Sequence, residues 1–526
     1  MTSPGYRDDD VEMETLTQGF DEPDFPLPPS GLPGTRHKPR WLDHSNTRWQ
    51  SILRRVPLIL RPRLSWKYIL FVLFLTYVFY CFAKGSPLLA SRLPAYTGPY
   101  DVGTVDIEVP VQERRNISET VYKDTGLPAF DFETVLFSLY YPAERGAKSK
   151  LPKHLWVPKP VSFIGEGYAR VAHINNFITR PLFTFGLWAL AGSIKIPALV
   201  DVPAVPINDS EEEFPVIVFS HGTASKRTDY TQYCGELASR GVVVAAIEHR
   251  DGSGPGSIVK SDDGEKRVYS FTQKDLLADP PMEDLQLKKE QLDFRQAEIE
   301  ETITVLRTIS ERNAPRITRL NERREGHNLK SLEGRLNLNQ IVISGHSYGA
   351  TGAMQAVKGA PSKKQPAIGA IMFDPGKSSG RLNSKIDIPI LVVHSNSWSK
   401  KISVFFGRPH FDAVKEIVQS VLDRKGASWF TTMLGTSHPS ITDAPIIEPL
   451  LLRWTTGATI SVVDGLREYV AVTMEFLEFV RHGKKTGILA EKVSHPQYNE
   501  DERSEARKKA QDKNIAKFWQ IHVAPE

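Results

Sequence analysis

Two pentapeptides in this chain set a serine among glycines, Gly345-His346-Ser347-Tyr348-Gly349 and Gly376-Lys377-Ser378-Ser379-Gly380. Such a serine can act as a nucleophile if it stands on a sharp turn between strand and helix, with a base and an orienting acid brought to it. Only the first has that context: "QIVIS" precedes it and "ATGAMQAV" follows, which predicts strand, elbow and helix. Glycines two residues either side let strand and helix approach, and the helix N-terminus favours negative charge developing on the serine oxygen. "GKSSG" also follows a strand pattern, but "RLNSKIDIPI" after it offers no helix of useful length. Ser347 is therefore the candidate nucleophile.

The acid and the base should follow in the order Ser, acid, His. "AIGAIMFD" ends in Asp374, at the C-terminal strand edge where loops gather; Asp387 precedes its strand and belongs at the opposite edge, so Asp374 is favoured. Of the later histidines, His438 in "TMLGTSHPS" sits in the loop after the last core strand, and His394 at a strand end reads as structural. Two backbone N–H groups are needed to hold an oxyanion. Tyr348, next to the nucleophile, supplies one; "VIVFSHGTAS", where Gly222 lets the chain turn, points to Thr223 for the other, with His221 bracing the loop. "EHRDGSG" (248–254) reads as an ion network bracing another active-edge loop, although Glu248 or Asp251 could serve as acid or base. No cluster has metal-ligand spacing and no phosphate-binding glycine loop is present, so no cofactor is expected.

The elements that must position these groups are legible as patterns. "TVDIEVPV" and "FETVLFSLYYP" read as an opening strand pair, "FPVIVFSHG" and "VVVAAIEHR" as buried strands around the helix "YCGELASRG", and "NQIVISG", "AIGAIMFD", "IPILVVHS" and "SWFTTMLG" as further strands. A charged helix covers Glu290 to Ser310, with Leu292, Ile299, Ile303 and Leu306 near helical spacing. Unbroken apolar strands alternating with helices predict an α/β fold with a mostly parallel central sheet flanked by helices.

The 526 residues suffice for one large domain or two ordinary ones; a net charge of +4 argues against general nucleic-acid binding, and two cysteines against a disulfide framework. "YILFVLFLTYVFYCFA", Tyr68 to Ala83, carries no charge between Lys67 and Lys84 and would reach about 24 Å as a helix. It predicts a transmembrane signal anchor over 66–84, because flanking lysines can snorkel. The excess of arginine before it places the N-terminus in the cytosol and the body in the lumen or outside the cell, as a type II membrane protein. Sequons at Asn116 and Asn208 suit that side. Residues 1–65, acidic then Pro-rich then basic, read as a disordered tail, 96–490 as the catalytic domain, and 491–526 as a charged helix or tail.

"FSHGTASKRTDYTQYCGELASRGVVVAAIEHRDGSG" and "VISGHSYGATG", together with "GPYDVGTVDIEV", "LYYPAE", "LWVPKPVSF", "MFDPG" and "GTSHPSITD", resemble the platelet-activating factor acetylhydrolases of the plasma and intracellular type II kind. The resemblance runs from about residue 96 to 480. It implies an α/β-hydrolase fold and calcium-independent hydrolysis of the sn-2 acyl ester of glycerophospholipids, short or oxidised chains being preferred. Ser347, Asp374 and His438 fall on the triad positions, and Thr223 and Tyr348 on those of the oxyanion amides. Tyr348 stands where phenylalanine is usual and Ala350 where glycine is frequent; an amide donor tolerates both. The charged segment Glu311–Leu336 matches poorly. The resemblance also gives the apolar stretches Asn175–Gly192 and Pro445–Gly457 a lipid-facing role, the alternative being core helices. The rival functions are a general carboxylester hydrolase acting on small soluble esters and a catalytically silent, membrane-tethered binding protein.

Overall fold

A strand that is apolar without interruption needs cover on both faces. In the computed structural model, which describes residues 65–84, 86–88, 90–206, 213–261, 264–400, 403–499 and 518–526, the strands read above obtain it. Ten strands form one sheet: β1 (Asp101–Asn116), β2 (Asp131–Ala143), β3 (Leu199–Val200), β4 (Phe214–Ser220), β5 (Val243–Ile247), β6 (Leu336–His346), β7 (Ala367–Phe373), β8 (Ile390–Ser395), β9 (Trp429–Met433) and β10 (Trp519–Val523). Their order in space is β10-β9-β8-β7-β6-β4-β5-β2-β1-β3. The run β5 to β9 in that order is parallel. On one side β2 and then β1 continue it antiparallel, and on the other β10 pairs antiparallel with β9.

The helices used below are α1 (Trp66–Lys84), α2 (Val161–Val171), α3 (Thr179–Ala191), α4 (Thr231–Ala238), α5 (Asp284–Thr308), α6 (Tyr348–Ala356), α7 (His410–Lys425), α8 (Pro449–Thr456) and α9 (Val462–His482). Successive strand residues face opposite ways, so each central strand feeds two cores. Val216 and Val218 of β4 join Ile341 and Ile343 of β6 under Ile299 and Ile303 of α5, Met354 of α6 and Val414 of α7. Ile217 and Phe219, one residue out of step, join Val342 and Val393 on the other face, under Tyr233 and Leu237 of α4 and Tyr469 and Phe476 of α9. Both cysteines, Cys81 and Cys234, are free thiols and buried.

The charged helix read over Glu290–Ser310 runs from Asp284 to Thr308 as α5, and beside its apolar positions it buries Glu290, Gln291, Arg295, Glu298 and Thr302. The far end of the segment read as a charged helix or tail is β10, with all five residues buried against β9, so the sheet reaches beyond residue 490. The segment Glu311–Leu336 contains the helix Ala314–Leu320 and is tied to the sheet edge. Asn321 accepts from the Glu108 N–H, and the Asp201 carboxylate accepts from the N–H groups of Gly326, His327 and Asn328.

Chain contacts divide into Met1–Thr76 and Tyr77–Glu526. The sequence span expected to cross a membrane is helical in α1, with exposed side chains such as Phe74 and Phe79. Among the described residues, however, no helix is long and apolar enough to cross a membrane. The 19 residues of α1 give about 28 Å against a hydrocarbon core of about 30 Å, and terminal lysines take up part of that length. The tail up to residue 64, the sequon at Asn208 and residues 500–517 lie outside the described residues. Asn116 is exposed at the end of β1.

Candidate active site

Parallel strands deliver their C-terminal ends to one edge, and β6 ends there in the elbow. Ser347 has φ 57° and ψ −120°, a left-handed conformation that a non-glycine residue holds only when its surroundings enforce it. The two glycines of the pentapeptide are steric necessities. A Cβ on Gly345 would lie 2.3 Å from the carbonyl oxygen of Gly349, and one on Gly349 would lie 2.0 Å from that of Ser220. The Ser347 N–H donates to the Phe373 carbonyl at 2.9 Å, which ties the elbow to the end of β7. Ser378, in the second pentapeptide, is exposed on a loop that no helix follows.

Asp374 follows β7 and is buried. Its Oδ1 accepts from the Ser395 N–H at 2.6 Å, and its Oδ2 accepts from the Ser395 hydroxyl at 2.7 Å. That same Oδ2 stands 2.9 Å from His438 Nδ1, and His438 Nε2 stands 3.1 Å from Ser347 Oγ. With Nδ1–H donating to the carboxylate, Nε2 is left to accept from the serine. The His438 N–H donates to Ser397 Oγ at 2.9 Å, which fixes the loop that carries the ring. The competitors lie elsewhere. Asp387 is exposed beside Arg424 and Lys425, and His394 is buried with Nδ1 3.2 Å from Ser399 Oγ.

Sequence reasoning missed Trp398. Its ring stacks on His438 with centroids 4.0 Å apart and planes 11° apart, and its Nε1–H donates to the Pro375 carbonyl. An isolated tryptophan in "SNSWSK" carries no pattern that could have disclosed this.

The His-Gly turn after β4 lies against the elbow. A Cβ on Gly222 would stand 3.1 Å from Ser347 Cβ, a tight contact that would press the turn a few tenths of an ångström away from the elbow. Thr223, Ala224 and Ser225 line a cavity of about 240 Å³ together with Ser347, His438, Trp156, Tyr168 and Thr442. Tyr348 opens α6, where an N–H has no intrahelical acceptor, while its side chain turns away and donates to Gln291 Oε1 at 2.8 Å. His221 braces the loop as expected: Nδ1–H donates to the Gly222 carbonyl at 2.8 Å and Nε2 accepts from the His249 N–H at 3.0 Å. Burial, with Arg295 adding to it, pushes this imidazole down to about 3, so it stays neutral.

The 248–254 segment does brace its loop, through partners distant in sequence. Arg227 bridges Glu248 and Asp106, Arg250 pairs with Glu108, and Asp251 pairs with Arg295. Beneath the His-Gly turn a second relay is closed off from solvent: Ser220 Oγ lies 2.7 Å from His249 Nε2, and His249 Nδ1 lies 2.5 Å from Glu298 Oε2. Burial and then the nearby Asp251 carboxylate raise the Glu298 carboxyl well above its usual range. Burial and Arg295 hold His249 well below its own. Both shifts favour the uncharged forms of the pair.

Among the described residues the cluster that could hold a metal ion is His346, Asp374 and His438. Asp374 Oδ2 and His438 Nδ1 already face each other there, and His346 Nδ1 lies 2.9 Å from the Tyr230 hydroxyl. What the arrangement can do without further groups is move a proton from Ser347 to His438, while the carboxylate faces the resulting cation.

Residues 88–485 match the model of the family described as "Platelet-activating factor acetylhydrolase, isoform II". A protein of Schizosaccharomyces pombe named "Putative phospholipase A2" is 30% identical over 269 residues, 49% of this chain and 57% of that one. The "Platelet-activating factor acetylhydrolase" of Cavia porcellus is 26% identical over 331 residues, 60% of this chain and 64% of its own. The chain thus spans less than two thirds of the length of these relatives. A ferulic acid esterase from Streptomyces cinnamoneus superposes with a TM-score of 0.47 and 17% identity, over 77% of this chain and 97% of that one.

Proposed function

This chain belongs to the platelet-activating factor acetylhydrolase, isoform II, family, and from that premise we propose that it is a serine esterase of α/β-hydrolase type that cleaves the sn-2 acyl ester of glycerophospholipids, short or oxidised chains preferred. The observation that carries the reading is the unbroken chain of contacts from Asp374 through His438 to a strained Ser347 at the wall of an open cavity. In the mechanism, His438 Nε2 takes the proton as Ser347 Oγ attacks the ester carbonyl, and Asp374 balances the imidazolium. The Thr223 and Tyr348 amides hold the oxyanion, each worth about 2.7–4 kcal/mol of barrier by analogy with other such donors. His438 then protonates the departing lysophospholipid oxygen, and water, activated in the same way, releases the acid.

A lipid surface is the proposed working environment. Phe177, Ile178, Leu182 and Phe185 at α3, and Leu450 and Trp454 in α8, are largely exposed, the last two by 80% and 82%. Apolar side chains this accessible suit partition into the bilayer interface. The chain that follows α1 touches both regions, since the Leu88 N–H donates to the Ala189 carbonyl and the Ser91 N–H to that of Ile447. The placement read from the sequence, with the N-terminus cytosolic, the catalytic body lumenal or extracellular and glycan at Asn116 or Asn208, completes the proposal, and it asks α1 to hold the bilayer although that helix is not long and apolar enough to cross one by itself. Carbonate extraction combined with glycosidase and protease protection tests it; a protein released by carbonate and open to protease on the cytosolic side would remove the anchor.

The first experiment measures release of sn-2 acetyl and long-chain acyl groups from phosphatidylcholine analogues by the full chain, with chelator present and Ser347→Ala as control. Chelator-resistant acetyl release that disappears in the variant is expected. Ser347-dependent cleavage of simple esters alone would give the case to the general carboxylesterase.

A further inference from the structure

An arginine fully withdrawn from water must spend its donors on fixed acceptors. Arg295 of α5 is 0% exposed, and all three of its nitrogens are engaged. Nε donates to Asp251 Oδ2 at 2.7 Å, Nη2 to Ser253 Oγ at 2.7 Å, and Nη1 to the His221 carbonyl at 2.6 Å and Ser220 Oγ at 3.3 Å. The guanidinium carbon stands 4.5 Å from the centroid of the Tyr348 ring. One turn earlier, Gln291 accepts the Tyr348 hydroxyl and donates to the Asp251 carbonyl at 3.0 Å.

The consequence for the backbone follows from peptide planarity: a carbonyl held in one direction turns its own N–H in the opposite one. The peptide between His221 and Gly222 is pinned at both ends, its oxygen by Arg295 and its N–H by the Tyr230 hydroxyl at 3.1 Å. The next peptide, which carries the Thr223 N–H, has its oxygen held by His221 Nδ1. Gly222 is the soft joint between the two, and with the peptide on each side of it held, its rotation is opposed. The same guanidinium seats the ring of Tyr348, whose N–H is the partner donor. We propose that Arg295 is a positioning residue that sets the two oxyanion amides, Thr223 and Tyr348, as one unit. The proposal rests on the reading of Ser347 as nucleophile.

Two variants of the full chain test it. Arg295→Lys keeps a cation beside Asp251 but lacks the fork that reaches the His221 carbonyl. Asp251→Asn/Arg295→Gln removes both charges together and so leaves neither buried alone. With a chromogenic acetate ester, both are expected to lose about 30- to 300-fold in kcat with KM little changed. Affinity for a trifluoromethyl ketone, whose adduct with a serine bears the oxyanion, is expected to fall by the same factor. A purely structural role would lower the yield of folded enzyme and leave the kcat of the folded fraction, titrated by active-site labelling, alone. Wild-type kcat and inhibitor affinity in either folded variant overturns the proposal. Mass spectrometry of the wild-type enzyme after mixing separates the two levels: if Ser347 is never acylated, the underlying reading fails, whatever Arg295 does.

Discussion

Ser347, His438 and Asp374 are joined by contacts of 3.1 and 2.9 Å, and Ser220, His249 and Glu298 by contacts of 2.7 and 2.5 Å. By distance alone the second chain is the tighter one. It differs in everything else that chemistry requires. Ser220 ends a regular strand and is sealed from solvent, whereas Ser347 stands on a strained turn at a cavity wall. Burial favours the protonated form of the sealed relay's acid, which works against a charged imidazolium beside it. Serine, histidine and carboxyl in contact are therefore a common structural solution as well as a catalytic one. Access and backbone strain mark the difference.

That contrast can be broken most sharply at the serines. Ser347→Ala should lower kcat by about 10⁶-fold, the scale seen when a triad nucleophile is removed, while Ser220→Ala should cost no more than about tenfold, a disturbance near 1.4 kcal/mol. Steady-state hydrolysis of one ester by both variants decides it, and equal losses would dissolve the distinction. The acids come next. Asp374→Asn presents an amide N–H to His438, favours the wrong tautomer and should cost about 10⁴-fold in kcat. Glu298→Gln replaces an acid whose uncharged form burial favours and should keep kcat within about threefold of wild type. A smaller loss is expected from Gly222→Ala, whose methyl must push the turn away from Ser347: about 10²-fold in kcat, the effect of one misplaced donor.

The smallest effect is on stability. Because the folded state raises the Glu298 carboxyl above its ordinary value of 4.5, the protonated form is the one that folding favours. Its contribution is fully present below that value and is lost as pH rises toward the folded one. Glu298→Gln has no such loss. Its denaturation midpoint relative to wild type should therefore rise as pH is raised above about 4.5. A flat difference across that range would mean that Glu298 is ionised in the fold, and the contrast between the relays would weaken.

The open site was readable in the sequence because its three residues each end or follow a strong strand pattern, and parallel strands bring such positions to one edge whatever the helices between them do. Thr223 was readable for the same reason, from a glycine just past β4. The sealed network was not. Gln291, Arg295 and Glu298 look like the solvated face of a charged helix, and only their partners at 249–253 make burial affordable. No local pattern encodes a pairing across that many residues. β10 was hidden in another way: five residues at the end of a strongly charged stretch are too few to outweigh its composition, and their burial depends on the edge that β9 leaves open.

The elbow has a further consequence for what chemistry this scaffold could ever host. At φ 57° a β-branched side chain is a severe outlier, and the Gly222 turn passes close to the Ser347 Cβ. A primary hydroxyl or a thiol can occupy the position; a secondary alcohol such as that of threonine cannot. Any redesign or evolutionary drift that keeps the turn is thereby confined to serine-like or cysteine-like nucleophiles, so new reactivity must be sought in the walls of the cavity.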